Sequence, residues 1–133
     1  SKMSLEVVAA IIFFENKILV TQRKFHKNSA FSYKFEFPGG KVELNEDKVT
    51  ALRRELLEEL NLELINCKHF ASYNYSYGID EIKLHFFLSN IKELKLTLKV
   101  HESYRLVTLK QLSKLEWLAA DYKVIKMLQS KYL

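Results

Sequence analysis

Apolar residues near the start of the chain come in strand-sized runs. Leu5 to Phe14 is one, closed by Glu15-Asn16-Lys17, and Lys17 to Gln22 is a second, so a short polar turn between two β-rich runs predicts a hairpin. Arg23 to Lys34 is polar and basic with scattered aromatics, which predicts a loop. Phe35-Glu36-Phe37 alternates like a short strand and stops at Pro38-Gly39-Gly40, a strong backbone punctuation. The period then changes. Val49, Leu52, Leu56 and Leu60 recur at spacings of three and four, the single buried stripe of a helix. Asn45 is the predicted N-cap, with Glu46 and Asp47 in the first turn, where the helix dipole favours negative charge. Asn61 follows the last apolar position, where the chain often turns left-handed.

Two more β-rich runs come next, Leu62 to Tyr77 and Glu81 to Ser89, separated by Gly78-Ile79-Asp80. Tyr73, Tyr75 and Tyr77 alternate with Asn74 and Ser76, the period of a strand with one aromatic face. Leu94 to Val100 also alternates, and Tyr104 to Val107 reads as a further short strand. Leu109 to Lys114 and Asp121 to Tyr132 read as helices. Strands before, between and after helices predict an α/β (α+β) fold, a mixed sheet with helices packed on it.

Composition narrows the class. The chain has 133 residues, 48% apolar and 28% charged, with no repeat or Pro/Gly/Ser linker, which predicts one domain over residues 3–133. Ser1 and Lys2, ahead of Met3, read as a cloning remnant and are set aside. No run approaches the roughly 18 apolar residues of a membrane span, and no signal-peptide cleavage pattern is present, so a membrane partner is not expected. Cys67 is the single cysteine, which excludes an intrachain disulfide and a cysteine-based zinc site and fits a reducing cytoplasm. The net charge of +5 is compatible with a polyanionic partner, or with solubility alone. His26, His69, His85 and His101 show no metal-ligand spacing and read as structural or exposed.

The stretch FPGGKVELNEDKVTALRRELLEEL concentrates the chemistry. On a helix, Glu55, Glu58 and Glu59 project within an arc of about 100° beside the apolar stripe. One reading is a solvated face neutralised by Lys48, Arg53 and Arg54. The other is a set of oxygen ligands for a hard divalent ion, since like charges crowded at the edge of a core cost energy until a cation relieves them.

The spacing separates these readings. From Gly40 the chain runs five residues to Glu46, seven more to Arg54-Glu55-Leu56, one to Glu58-Glu59 and one to Asn61-Leu62. This resembles the Nudix box at eight of its nine specified positions, the departure being Asn61 where the family has glycine. "FEFPGGKVE" is similar to the approach to the box in the MutT-like branch, with Phe35 where Trp or Leu is more usual, and "HESYRLVTLKQLSKLEWLAADYKVI" is similar to that branch's C-terminal strand and helices. The resemblance covers about residues 5 to 130.

It implies the Nudix fold, an α/β/α sandwich, and hydrolysis of a nucleoside diphosphate linked to another group. For MutT-like members the substrate is a (deoxy)nucleoside triphosphate, which yields the monophosphate and pyrophosphate. Carried over by position, it implies Glu55, Glu58, Glu59 and the Gly39 carbonyl as ligands of Mg²⁺, with Mn²⁺ a substitute. It implies Glu46 and Arg54 as supports of that site, and Arg23 and Lys41 as phosphate contacts. Phe37 and Asp121 would meet the base, with Tyr75 or Tyr77 as further contacts. Asp121 could equally be the N-cap of the last helix. Related sequences often carry one more glutamate ahead of the late strand, where this chain has Val100; either Glu102, two residues later, substitutes as a metal ligand or the role is absent. Clearance of oxidised or non-standard nucleotides, a contribution to DNA repair, is the leading expectation. An enzyme for another nucleoside-diphosphate compound such as ADP-ribose, or a non-catalytic module binding nucleotide or nucleic acid, are the alternatives. Monomer and homodimer both remain open.

Overall fold

Glu15 and Asn16 both take positive φ, 49° and 65°, which closes the predicted hairpin as a two-residue turn. In the computed structural model, which describes residues 4–133, strands β1 (Ser4–Phe14) and β2 (Lys17–Gln22) flank that turn. Ser1 and Lys2 lie outside the described residues. Then come β3 (Phe35–Glu36), β4 (Gly39–Lys41), α1 (Lys48–Leu60), β5 (Cys67–Tyr77), β6 (Asp80–Asn90), β7 (Ser103–Val107) and α2 (Tyr122–Tyr132). The strands form a sheet ordered β3-β2-β1-β6-β5, with β4 also on β1 and β7 also on β2. β1 and β6 run parallel and the other pairs antiparallel, so the sheet is mixed as expected.

β1 is buried on both faces. Ala9 and Ile11 face one core with Trp117, Val124, Ile125 and Leu128, beneath α2. Val8, Ala10 and Ile12 face the other, with Leu52, Leu56 and Leu60 of α1. The sheet therefore lies between helices, the predicted layering. Along its length β1 gives one edge to β6, so β2 and β4 share the other: β2 takes Ile12 to Phe14, and β4 takes Val7 to Ala9. Gly39 makes the second pairing possible, because a Cβ there would stand 1.9 Å from the Val8 carbonyl oxygen. The sheet opens where β1 changes partner, and the opening is the cleft described below.

Three local expectations change. Asp47, not Asn45, caps α1: its carboxylate accepts the Thr50 N–H at 3.0 Å, while Asn45 is left-handed (φ 63°) in the preceding turn. Glu46 and Asp47 consequently precede the helix rather than forming its first turn. Leu94 to Val100 is not a strand. Leu94, Leu96 and Leu98 do turn toward the α1 core, but the backbone partners are helical, with Thr97 N–H donating to the Leu60 carbonyl and Lys99 N–H to that of Glu59. The alternation was real, and the unpaired carbonyls at a helix C-terminus took the place of a neighbouring strand. Leu109 to Lys114 shortens to a 3₁₀ turn at Lys110–Lys114, and a second 3₁₀ turn, Ala119–Asp121, precedes α2.

Asn61 ends α1 with φ 54°, and its N–H bonds back to the carbonyls of Leu56 and Leu57. A β-branched side chain is strongly disfavoured there. Asn61→Val is expected to lose about 1–2 kcal/mol in urea unfolding, and Asn61→Gly to lose none. Equal stability of all three proteins would refute the strain argument.

Candidate functional site: a cleft with a charged end and an apolar end

Gly40 lets α1 approach β4. A Cβ at this position would stand 2.3 Å from the Glu55 carboxyl carbon, so any side chain here displaces that carboxylate. Arg54, beside Glu55 on α1, gathers the acidic groups around it. Its Nε bonds Glu46 at 2.8 Å and pairs with Glu43 at 3.1 Å, and its Nη1 bonds Glu55 at 2.9 Å and Glu58 at 3.3 Å. Nη2 donates to Glu46 at 3.0 Å and to the Lys41 carbonyl at 3.1 Å. These bonds hold the guanidinium firmly protonated, Glu46 contributing most, and they pull the Glu46 carboxyl below its usual range.

Glu59 lies on the cleft side of the same helix. Burial raises its carboxyl from the ordinary 4.5 to about 7; His101 pulls the other way, while Glu55 and Glu36 push it further up. Three carboxylates thus crowd one region: Glu36 from β3, and Glu55 and Glu59 from α1.

The cleft has a volume of about 650 Å³. Glu59, Gly39, Gly40, Lys41, Arg23, Glu36 and His101 line its charged end. The other end is apolar, with Leu5, Ile82 and Leu84, and there Asp121 is almost fully buried beside Phe37. The Asp121 carboxylate accepts the Phe37 backbone N–H at 3.4 Å and makes no cap bond to α2, so its role as helix cap is not observed. Burial lifts its carboxyl well above the usual range, and the nearby Glu36 charge adds to the shift. The Phe37 ring packs on Trp117 at 4.8 Å. Tyr77 lines the cleft against Phe31, and burial together with Asp121 pushes its phenol up to about 12. Tyr73 is structural: its hydroxyl donates to the Ala120 carbonyl and accepts the Val124 N–H at the start of α2.

Every residue singled out from the sequence falls on this cleft or on the Arg54 cluster at its end, with two exceptions. Glu102 is exposed and does not line the cleft, and Tyr75 meets Tyr77 edge-on without lining it. Glu58 belongs to the Arg54 cluster through an exposed side chain. Three participants were not read from the sequence. Glu43 joins Arg54, and Glu36 joins Arg23 to His101. The only sequence signal for Glu36 was its polar place between Phe35 and Phe37, and His101 gave none.

A hard divalent ion fits the donor chemistry, since the crowded groups, Glu36, Glu55 and Glu59, are all oxygen acids. As the side chains stand, Glu46, Glu55 and Glu58 turn toward Arg54, and among the described residues no three acidic, histidine or cysteine side chains converge on one ion position.

Comparison with known proteins gives one consistent result. A family model described as NUDIX domain matches residues 3–128. An 8-oxo-dGTP diphosphatase of Buchnera aphidicola is 42% identical over 56% of this chain and 56% of its own length, so the chain spans little more than half of that relative. A CTP pyrophosphohydrolase of Escherichia coli is 40% identical over 77% of this chain and 73% of its own. The crystal structure of a MutT protein from Methanosarcina mazei superposes with a TM-score of 0.84 over 98% of this chain and 95% of its own, at 21% identity, a likeness of fold.

Glu59 also fixes a pH dependence. A carboxyl at about 7 in the fold and 4.5 unfolded holds its proton more tightly when folded, so its contribution is complete below 4.5 and is lost as pH rises through about 7. Metal-free protein should therefore lose on the order of 1–2 kcal/mol between pH 5 and pH 8, after allowance for solvent screening, and Glu59→Gln should flatten that slope. Identical slopes for the two proteins in urea titrations would rule out the assignment.

Proposed function

The chain belongs to the NUDIX domain family, and on that premise we propose that it hydrolyses a (deoxy)nucleoside triphosphate to the monophosphate and pyrophosphate, using Mg²⁺ or Mn²⁺. The observation that carries this reading is the two-ended cleft: acids and bases for a polyphosphate at one end, a nearly buried acid among apolar walls for a base at the other.

In this proposal Glu55, Glu58, Glu59 and the Gly39 carbonyl hold the metal, and Glu102, which stands outside the cleft, is left out. A bound divalent ion neutralises charge on the phosphates and makes water a better nucleophile. Arg54 and Glu46 set the directions of the acids; Arg23 and Lys41 meet phosphate oxygens. Water forms a new P–O bond as the α–β anhydride bond breaks, the departing phosphate group leaves with the electron pair, and the released proton passes to the carboxylate cluster.

Base choice falls to Phe37 and Asp121. An ionised carboxylate only accepts hydrogen bonds, whereas a protonated acid both donates and accepts. Asp121, held above its usual range, can therefore bind a base edge that offers a carbonyl beside an N–H, as oxidised guanine does. Similarity to an 8-oxo-dGTP diphosphatase and a CTP pyrophosphohydrolase supports this substrate class and leaves the base between the two. Removal of damaged nucleotides from the cytoplasmic pool is the corresponding cellular role.

Pyrophosphate release should be seen with Mg²⁺ for at least one member of a panel of NTPs, oxidised dNTPs and ADP-ribose, should stop on chelation and should return on adding metal. Absence of turnover throughout the panel would end the enzymatic reading. Glu58→Gln and Glu59→Gln should lower kcat by two or more orders of magnitude in folded protein. Asp121→Leu should raise KM about 10–100-fold through lost base contacts while Asp121→Asn retains most affinity, and equal KM values would exclude Asp121 from base recognition.

A further inference from the structure

The positive charge of the chain is gathered toward one end of it. Residues 103–133 hold six lysine and arginine side chains against two acids, so they carry four of the five net charges of the sequence. Neither acid relieves the six. Asp121 is buried at the cleft, and Glu116 bonds Lys34 at 3.2 Å. Arg105, Lys110, Lys114, Lys123, Lys126 and Lys131 are all exposed, and none forms an ion pair among the described residues.

These cations share one layer of the molecule. Gln129 of α2 donates to the Leu109 carbonyl at 2.8 Å, which seats the helix beside the 3₁₀ turn that carries Lys110 and Lys114. Val124, Ile125 and Leu128 turn α2 into the core and leave Lys123 and Lys126 outward. On the β5 side of the helix, Lys123 lies over the Tyr73 ring at 5.0 Å and Lys131 over that of Phe70 at 5.7 Å. Arg105 of β7 stands over the Phe35 ring at 5.6 Å. With Gln111 and Lys114 it lines a second hollow, of about 410 Å³. None of the six lines the cleft.

Two aromatic rings accompany the charges. Tyr122 and Tyr132, 45% and 44% exposed, stand at the two ends of α2, about 15 Å apart at the helical rise. The Tyr122 hydroxyl accepts the Trp117 N–H at 3.2 Å, and the Tyr132 ring meets Phe13 edge-on at 6.2 Å, so both are held in place. Like charges three or four positions apart, as at Lys123 and Lys126, destabilise a helix. Solubility asks for net charge and not for such crowding, which an anionic ligand relieves.

We propose that this face binds single-stranded nucleic acid without regard to sequence. The cations meet backbone phosphates, one of them in the hollow at Arg105 and Lys114, and Tyr122 and Tyr132 stack on bases. An anionic membrane fits less well. A surface helix enters a bilayer by its apolar side, and in α2 that side is already buried against the sheet. A duplex hides the ring faces of its bases and would use the cations alone. The surface is separate from the cleft, so the inference stands whether or not the cleft hydrolyses a nucleotide.

Fluorescence anisotropy with a labelled oligothymidylate of about 12 nucleotides, in the presence of a chelator, tests this. The wild type should bind at low salt, with log K falling against log salt at a slope of about −2 to −3, as for three or four phosphate contacts on a single strand. Combining Lys114→Gln, Lys126→Gln and Lys131→Gln should weaken binding at least about tenfold at about 50 mM salt and bring the slope near −1. Lys83→Gln, Lys92→Gln and Lys95→Gln together remove the same charge from exposed positions outside this face, and should weaken binding less than about threefold. Tyr132→Leu should weaken it at least about fivefold with the slope unchanged. No binding at low salt, equal losses in the two triple variants, full affinity in Tyr132→Leu, or tighter binding to phosphatidylglycerol vesicles than to the oligonucleotide would each overturn the inference.

Discussion

The Arg54 guanidinium is the counter-charge without which α1 could not carry its acids where it does. Glu43, Glu46, Glu55 and Glu58 all reach it, and their mutual repulsion at the edge of a core would otherwise drive the side chains outward or protonate them. Arginine suits this place better than lysine, since its fork of fixed donors meets several carboxylates and the Lys41 carbonyl at once. One residue thereby joins α1 to the β4 turn and sets the directions of the acids. Glu59 is outside this arrangement. Burial raises its affinity for a proton, and no bond from Arg54 offsets that shift.

The position of the cluster follows from a backbone constraint. β1 cannot pair with β2 and β4 at the same residues, so the sheet parts where one replaces the other. Gly39 lets β4 seat against Val8, and Gly40 lets Glu55 lie against β4. Either glycine with a side chain would move the acids relative to the sheet. The cleft thus draws its charged end from α1 and its apolar end from strand faces that already belong to the core, which is how one opening can hold two such different environments.

Most of the framework was legible because it follows from periodicity. The hairpin at Glu15 and Asn16, the stripe of Leu52, Leu56 and Leu60, and the left-handed Asn61 each depend on residues close in sequence. Leu94 to Val100 was misread because alternation reports only that one side is buried. It is silent on whether the backbone partner is a strand or the end of a helix. Asn45 and Asp47 are both good caps, and only the turn geometry, which places Asn45 at positive φ, decides between them. The spacing from Gly40 to Asn61 revealed the acids of α1 for the same local reason. Glu36 and His101 lie 65 positions apart, and nothing in either neighbourhood anticipates the other.

Burial raises the carboxyls at both ends of the cleft, Glu59 at one and Asp121 at the other, and Glu36 contributes to both shifts. Glu36 is therefore the charge through which the two ends sense each other. Arg23 and His101, bonded to its two oxygens, limit how far that charge spreads. If Glu36 lost its partners, its charge would act more strongly on Asp121 and Glu59, favouring the protonated form of each. In this geometry the Asp121 and Glu59 carboxyls are electrostatically linked, and the link passes through the carboxylate of Glu36.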